Sequence, residues 1–252
     1  MHGLGFIMAE SVSDFIKVAQ TEPESLYIWL DILGFSKEIE SSNNKAELSE
    51  TLELFRNTFS SISKKTVSVS DGILIALDIQ TPQWNIESLR EIFLELANGQ
   101  LEFFIKKQRV VRGGISIGNQ INKDDWDKGR FISNGMTKAY SLESKFVSWP
   151  IIGMDQSSVE KIKQKTKIAV KTIVDHLNLA ESLNEYGDKI YFLKFAESKP
   201  NYIQVYQNQI KMFFYDKIKN EDGRVLLKYI WLYKYFKQTW GIDLKNYEEW
   251  VL

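Results

Sequence analysis

Apolar and polar positions divide the first half of the chain into strand-like and helix-like segments. Residues 26–32 form an apolar run, which predicts a buried strand. Residues 36–64 are polar, with apolar positions recurring every three or four residues, and this predicts a helix with one buried face. Residues 66–70 alternate between polar and apolar, and residues 73–79 are mostly apolar. Together they predict a β-hairpin that turns at Asp71-Gly72.

The second half continues this alternation of strands and helices. The remaining predicted elements are helices over residues 9–20, 86–107, 133–146, 157–186 and 223–239, and strands over residues 110–118, 149–154, 190–195 and 202–206. Strands that alternate with helices around a central hairpin predict an α/β fold, an α+β sandwich with a mixed sheet. The β-α-β-β-α-β order predicts a ferredoxin-like arrangement. Without a Pro/Gly/Ser-rich linker, the sequence predicts one domain over 1–252, with a core at about 25–155 and a C-terminal helical extension over 156–252.

Composition narrows the available chemistry. The 252 residues include no cysteine and two histidines, which excludes disulfides and thiolate chemistry and argues against a His-based triad. Carboxylates, Lys, Arg and hydroxyls remain, and these suit hard cations such as Mg²⁺ or Mn²⁺. With 32 basic and 33 acidic residues, the chain has no overall attraction to nucleic acid or to a membrane surface. Residues 1–8 are apolar, lack a basic flank and are too short for a signal peptide, so we expect a cytoplasmic protein.

Two aspartates lie at the ends of predicted strands. Asp31 ends the first apolar run, and Asp71 lies between the strands of the predicted hairpin. An ionised carboxylate beside so much apolar surface is costly unless a cation or a donor compensates it. Either aspartate alone is more simply explained as a turn or strand-end residue. Two on neighbouring strands would repel, however, and together they predict a pair of divalent cations about 3.5–4 Å apart.

The segments around both aspartates resemble those of class III nucleotide cyclases. Asp31-Ile32-Leu33-Gly34-Phe35-Ser36 resembles the first metal motif of that family, and Ser70-Asp71-Gly72 resembles the second. Arg112-Gly113-Gly114-Ile115-Ser116-Ile117-Gly118 resembles the strand that follows. Two further segments, Ala139-Tyr140-Ser141-Leu142-Glu143 and Lys228-Tyr229-Ile230-Trp231-Leu232, resemble one branch, the pyrimidine cyclases of bacterial Pycsar anti-phage defence.

This resemblance spans roughly residues 25–240 in short motifs and implies a reaction, cofactors and partners. The implied reaction is attack of the ribose 3′-hydroxyl on the α-phosphate, which converts UTP to 3′,5′-cyclic UMP and pyrophosphate as an antiviral signal. CTP and cyclic CMP are the alternative. Two Mg²⁺ or Mn²⁺ ions per active site would be bound by Asp31, Asp71 and the carbonyl of Ile32. The family implies a homodimer with active sites at the subunit interface, and a downstream cyclic-nucleotide effector, but no nucleic-acid or membrane partner.

Further residues are expected to contact the nucleotide. The resemblance implies that the triphosphate is lined by Leu33, Gly34, Phe35 and Ser36. Val67 stands where adenylate cyclases carry a base-reading lysine, and an apolar wall there suits a smaller, pyrimidine base. Arg112 is the candidate for binding base carbonyls or a phosphate, with a surface salt bridge as the alternative. Tyr140 could contact the base or the ribose, although packing explains both Tyr140 and Glu143 more simply.

Transition-state residues are predicted on the helix over 133–146. Asn134 and Lys138, one helical turn apart, would occupy the Asn-x-x-x-Arg positions that adenylate cyclases supply across their dimer. A second alignment places Thr137 and Ser141 there instead. Neither alignment gives an Asn-Arg pair, so the adenylate mechanism is not transferred whole.

Two other functions compete with the cyclase hypothesis. One is a catalytically inactive, cyclase-fold regulatory module that binds nucleotide without converting it; the unmatched Asn-Arg pair favours it. The other is a phosphatase of the haloacid dehalogenase type, which needs Asp-x-Asp after its first strand. Residue 33 is Leu, and the second hypothesis therefore fails at its first motif.

Overall fold

The computed structural model describes residues 24–63, 65–78, 85–119, 133–146, 149–183 and 187–244. The helix predicted over residues 9–20 lies outside these residues. The strands of the described structure are β1 (Glu24–Ile32), β2 (Lys65–Val69), β3 (Gly72–Asp78), β4 (Val111–Asn119), β5 (Ile152–Asp155), β6 (Leu179–Leu183) and β7 (Lys189–Leu193). Its α-helices are α1 (Phe35–Ser41), α2 (Lys45–Ser60), α3 (Ile86–Lys107), α4 (Asn134–Ser141), α5 (Gln156–Thr166), α6 (Val170–His176), α7 (Pro200–Asn220) and α8 (Gly223–Trp240). A π-helix (Leu142–Phe146) continues α4, and a 3-10 turn (Phe195–Glu197) precedes α7.

The strands form one seven-stranded mixed sheet in the order β2-β3-β1-β4-β5-β7-β6. β1 lies between β3 and β4 and runs antiparallel to both, whereas β4 and β5 are parallel. The first four strands, with α2 and α3 as their connecting helices, realise the β-α-β-β-α-β order. The predicted fold class, with its mixed sheet and C-terminal helices, is therefore confirmed. The sheet also continues past residue 155, because β6 and β7 belong to it.

The two faces of β1 pack in different apolar clusters. Leu26, Ile28 and Leu30 belong to the main core, which they share with apolar residues of α2, α3, α7 and α8. Tyr27 and Trp29 belong to a smaller cluster on the opposite face, where α4 packs. Because side chains alternate along a strand, Asp31 shares the face of Tyr27 and Trp29. The candidate carboxylate thus lies outside the main core.

Helix α4 packs closely on this second face because glycines lie at the contact. A Cβ atom at Gly114 would lie 2.1 Å from the carbonyl oxygen of Ala139. A Cβ atom at Gly118 would lie 2.4 Å from the backbone nitrogen of Gly135. Both distances are far below van der Waals contact. These glycines of β4 therefore set the depth at which α4 is held.

Two predictions in the C-terminal half were wrong. Residues 157–186 do not form one helix: α5 ends where Lys167 adopts a left-handed conformation, with φ of 62°, and the segment continues as α6 and β6. Residues 202–206 belong to α7 and not to a strand. Pro200 begins this helix. Tyr202 and Tyr206 are four residues apart, and their ring centroids lie 5.6 Å from each other on one face of α7.

The hairpin was predicted correctly, but its turn is shifted by one residue. Val69 pairs with Gly72, so the turn residues are Ser70 and Asp71, and Ser70 has a positive φ of 55°. Gly72 begins β3, where a Cβ atom would lie 2.6 Å from the ring of Trp29. The glycine is therefore needed for the packing of Trp29. Among the described residues, none of the helices is both long enough and apolar enough to span a bilayer.

Candidate active site

The two aspartates meet at one edge of the sheet. Asp31 pairs with Gly72 across β1 and β3, and Asp71 immediately precedes that glycine. Ser36, in the first turn of α1, donates a hydrogen bond of 2.8 Å to Oδ2 of Asp71. This bond joins the hairpin tip to the segment that follows β1. Both carboxylates therefore lie beside the turn from β1 to α1.

A tight turn leads from Asp31 into α1. Gly34 adopts the left-handed conformation, with φ of 79°, which a glycine takes without strain. Leu33 donates its backbone N–H to the carbonyl of Val110 at 2.9 Å. Phe35 is buried in the main core, so its side chain anchors α1 and is not exposed to a ligand. Of the four residues predicted to line the triphosphate, Leu33, Gly34 and Ser36 border the adjacent cavity.

Arg112 lies between two acidic side chains. It pairs with Asp31 across β1 and β4, and its Nε and Nη2 atoms donate to Oδ2 of Asp31 at 3.1 and 2.9 Å. Nη2 also lies 2.7 Å from Oε1 of Glu143, in the π-helix, although the N–H is not aligned for a hydrogen bond to that oxygen. The side chains of Asp31, Arg112 and Glu143 are 15%, 23% and 4% exposed. This is a buried bridge and not a surface salt bridge.

Burial has the largest effect on the pKa values of Asp31 and Glu143. It raises the pKa of Asp31 above the ordinary value, in spite of the Arg112 guanidinium, and the charge of Asp71 adds to the effect. It also raises the pKa of Glu143 to about 7, again against the effect of Arg112. One guanidinium therefore does not compensate the acidic groups at this edge of the sheet.

A cavity of about 400 Å³ opens beside Asp31. Its walls come from the end of β1, the turn into α1, α1 itself, Arg112 of β4, and the neighbouring ends of α7 and α8. The charged residues that line it are Asp31, Lys37, Glu38, Arg112, Lys217, Glu221 and Lys228. The C-terminal helices thus contribute cationic groups to the same cavity as the candidate carboxylate.

Val67 and Tyr140 lie on the face of the sheet that carries Asp31. Val67 pairs with Leu74, which belongs to the smaller apolar cluster on that face. Lys65, two residues earlier on the same face of β2, is paired with Asp78 at 2.5 Å. The ring of Tyr140 packs edge to face on Trp29, with centroids 5.3 Å apart. The surroundings of Val67 are therefore mainly apolar.

Asn134 and Lys138 make contacts elsewhere in the same chain. Oδ1 of Asn134 accepts a hydrogen bond of 2.9 Å from the backbone N–H of Asn119. Nζ of Lys138 lies 2.7 Å from Oδ2 of Asp155, beside a second cavity of about 300 Å³. Burial opposes ionisation of Asp155, but hydrogen bonds, led by the one from Lys138, lower its pKa. Neither Asn134 nor Lys138 lines the cavity beside Asp31.

The donor set at this edge suits Mg²⁺ or Mn²⁺ with a phosphate ligand. Within the described ranges, no group of three or more His, Cys, Asp or Glu side chains is placed to bind a metal. Mg²⁺ is commonly bound by one or two carboxylates, with substrate phosphates and water completing its coordination. Asp31 and Asp71 supply two carboxylates, and Arg112 engages only Oδ2 of Asp31. Oδ1 of Asp31 is therefore not engaged by Arg112.

Two members of the site had not been assigned a role from sequence. From sequence, packing is the simplest role for Glu143, and Lys228 belongs only to a segment that resembles a family motif. A glutamate at 4% exposure signals a charged partner, but that burial is not visible in a short helical segment. The position of Lys228 depends on how α8 packs on the sheet, for which the sequence carries no local signal.

No protein-family model and no curated protein matches the chain. Among solved structures, it is similar to the adenylyl cyclase CyaB from P. aeruginosa, with 13% identity, a TM-score of 0.44, and coverage of 68% of this chain and 94% of that one. The monomeric guanylyl cyclase domain of the RhoGC fusion protein from Blastocladiella emersonii has 12% identity and a TM-score of 0.47, with coverage of 68% and 95%. An adenylate/guanylate cyclase/hydrolase from Silicibacter pomeroyi has 17% identity and a TM-score of 0.41, with coverage of 68% and 96%. Since these identities are low and these TM-scores are below 0.5, the function proposed below rests on the chain's own residues.

Proposed function

We propose that this protein is a pyrimidine nucleotide cyclase that converts UTP to 3′,5′-cyclic UMP and pyrophosphate. The observation that carries the proposal is the meeting of Asp31 and Asp71 at one sheet edge, beside a cavity with several basic side chains. Carboxylates and basic groups that converge in this way suit a nucleoside triphosphate with divalent cations. The proposal that the cyclic product acts as an antiviral signal follows only from the sequence resemblance to the Pycsar branch.

The roles of the chain's residues follow from this geometry. Asp31, Asp71 and the carbonyl of Ile32 would hold Mg²⁺ or Mn²⁺ ions. Bound ions of this kind activate an attacking hydroxyl and stabilise charge on a leaving pyrophosphate. Ser36 fixes the orientation of Asp71, and Arg112 fixes that of Asp31. These contacts hold the carboxylates in place before the nucleotide binds.

The pyrimidine assignment depends on the face that carries Val67. The lysine on this face of β2 in the described structure, Lys65, is tied to Asp78. The wall near Val67 is therefore apolar and offers no cationic donor for a purine ring. This supports a smaller base, and CTP is the alternative substrate.

The site is proposed to be completed by a second copy of the chain. Two large side chains on the Asp31 face, Val69 and Tyr140, are 52% and 50% exposed. Asn134 and Lys138 do not line the cavity beside Asp31 of their own chain. A homodimer that covers this face would bring α4 of one copy towards the aspartates of the other.

A nucleotide-binding module without turnover is the second candidate. It is favoured by the contacts of the predicted transition-state residues: Lys138 is paired with Asp155, and Asn134 accepts a hydrogen bond from Asn119. Lys138 would have to break its ion pair to act on a nucleotide.

The test is incubation of the purified protein with each of the four ribonucleoside triphosphates and Mn²⁺ or Mg²⁺, with products identified by mass. Asp31→Asn and Asp71→Asn keep the side-chain size, and Asp175→Asn, at an exposed site on α6, is the matched control. A cyclic pyrimidine nucleotide that both site variants abolish and the control retains would support the proposal. Cyclic AMP or cyclic GMP as the main product would overturn the pyrimidine assignment. Nucleotide binding without any product would favour the binding module.

A further inference from the structure

The C-terminal helices bring a lysine to the cavity beside Asp31. Lys228 lies on α8 and lines this cavity together with Asp31 and Ser36. The end of α7 contributes Lys217 to the same wall. Helices that follow the last strand of the sheet are thus part of the site's boundary.

The cations of the cavity differ in their partners. Arg112 is paired with Asp31 and Glu143, and Lys217 lies 3.4 Å from Glu221. Lys37 is exposed, so water hydrates its charge. Lys228 is half-buried, and in the described part of the chain it has no hydrogen bond and no ion pair.

The position of Lys228 is therefore electrostatically unfavourable without an anion. Burial lowers its pKa and the positive charge of Arg112 adds to this effect, which the negative charges of Glu143 and Asp31 offset only in part. A half-buried ammonium without a counter-ion is costly, and an anion in the cavity would remove much of that cost. A nucleoside triphosphate is the anion that the proposed reaction brings here.

We propose that Lys228 binds the β- and γ-phosphates of the nucleoside triphosphate, so that α8 completes the substrate site within the same chain. This inference rests on the proposed function. The ammonium of a lysine is a compact point charge that commonly binds phosphates. In this position it neutralises charge on the phosphates that leave as pyrophosphate, while Arg112 remains paired with the carboxylates.

Tripolyphosphate tests this role, because it has the phosphate chain but neither base nor ribose. Its binding to the whole 252-residue chain with Mg²⁺ is measured by calorimetry for the wild type, Lys228→Gln, Lys228→Arg and Lys234→Gln. Lys234 is exposed on the same helix, and its variant makes the same change in charge. We expect Lys228→Gln to weaken binding about ten- to hundredfold, the typical effect of losing a hydrogen bond to a charged group. Lys228→Arg and Lys234→Gln should stay within about threefold of the wild type.

Two results would overturn the inference: unchanged binding by a folded Lys228→Gln variant, or equal weakening by Lys228→Gln and Lys234→Gln. If Lys228→Gln does not fold, Lys228→Met replaces it and Lys234→Met becomes its control: tenfold or greater weakening by Lys228→Met alone would support the role, and equal binding by the two variants would contradict it. The cyclisation assay separates this inference from the proposed function. Cyclic product with unaltered tripolyphosphate binding in Lys228→Gln overturns the role of Lys228 alone. Selective loss of tripolyphosphate binding without any cyclic product overturns the cyclase assignment and leaves the phosphate site.

Discussion

Arg112 directs two nitrogens, Nε and Nη2, at the same oxygen of Asp31, at 3.1 and 2.9 Å. An arginine and a carboxylate often form two parallel hydrogen bonds that use both carboxylate oxygens. Here the fork converges on Oδ2 and leaves Oδ1 free of Arg112. Asp31 is thus held in place by its neighbour and still offers an oxygen to a cation.

We expect Arg112→Ala to lower the free energy of unfolding by about 3 kcal/mol at pH 8, because it leaves two buried carboxylates without their cation. The loss should be smaller at pH 5.5, where Glu143, with a pKa of about 7, takes up a proton. Urea unfolding at both pH values measures this difference. Arg90→Ala is the control: Arg90 is exposed, lies 3.4 Å from Glu87, and should change stability by less than about 1 kcal/mol. Equal effects of the two variants would contradict the bridging role.

The placement of the aspartates could be predicted from the sequence because its signals are local. An apolar run that ends at Asp31 and a hairpin that contains Asp71 are both visible within about ten residues. The pairing of Arg112 with Glu143 could not be predicted, because it depends on how deeply the π-helix sits against β4. That depth is set by contacts such as the one between Gly114 and Ala139.

The wrong predictions have a similar cause. Tyrosines such as Tyr202 and Tyr206 are common in strands and also on the buried faces of helices. A window of five residues does not distinguish a strand from a helix. Lys167 ends α5 in a left-handed conformation that glycine or asparagine would have signalled more clearly. The residue types over 157–186 therefore do not indicate that the helix ends within this segment.

Glu143 should make stability depend on pH. Its pKa is about 7 in the folded protein and 4.5 in the reference state, so between these values the folded chain binds a proton that the unfolded chain does not. The free energy of unfolding should therefore decrease as pH rises from 4.5 to 7, by about 3 kcal/mol from this group, and level off above 7. Glu143→Gln should lack this decrease, which chemical unfolding across the pH range measures.

The matched control for this change is Glu91→Gln, on the exposed side of α3. The stability difference between Glu91→Gln and the wild type should vary by less than about 0.5 kcal/mol over the same range. If the difference between Glu143→Gln and the wild type is equally flat, Glu143 does not bind the additional proton.

Gly114→Ala should displace α4 from the sheet. Its Cβ atom would lie 2.1 Å from the carbonyl oxygen of Ala139, and backbone must move to relieve the overlap. We expect a loss of about 3 kcal/mol in the free energy of unfolding and, because α4 carries Lys138 and Tyr140, reduced cyclase activity.

Ser116→Ala, on the same face of β4, is the control. Among the described residues the buried Ser116 hydroxyl has no hydrogen-bond partner, so its removal should be neutral or slightly stabilising. A fully stable and active Gly114→Ala variant would contradict the close packing described for α4.

Ser36→Ala should weaken metal binding with little effect on folding. The Ser36 hydroxyl donates to Oδ2 of Asp71 at 2.8 Å in an exposed position, so its loss should cost less than about 1 kcal/mol of stability. Removing a hydrogen bond that orients a metal-binding carboxylate typically lowers metal affinity about tenfold or more. Calorimetric titration with Mn²⁺ measures this directly, and the Mn²⁺ concentration for half-maximal cyclisation gives a second reading.

Ser41→Ala is the matched control, since the Ser41 hydroxyl donates to the carbonyl of Lys37 within its own helix, and it should leave Mn²⁺ affinity unchanged. Equal affinities in the two variants would show that Ser36 does not position Asp71 for a cation.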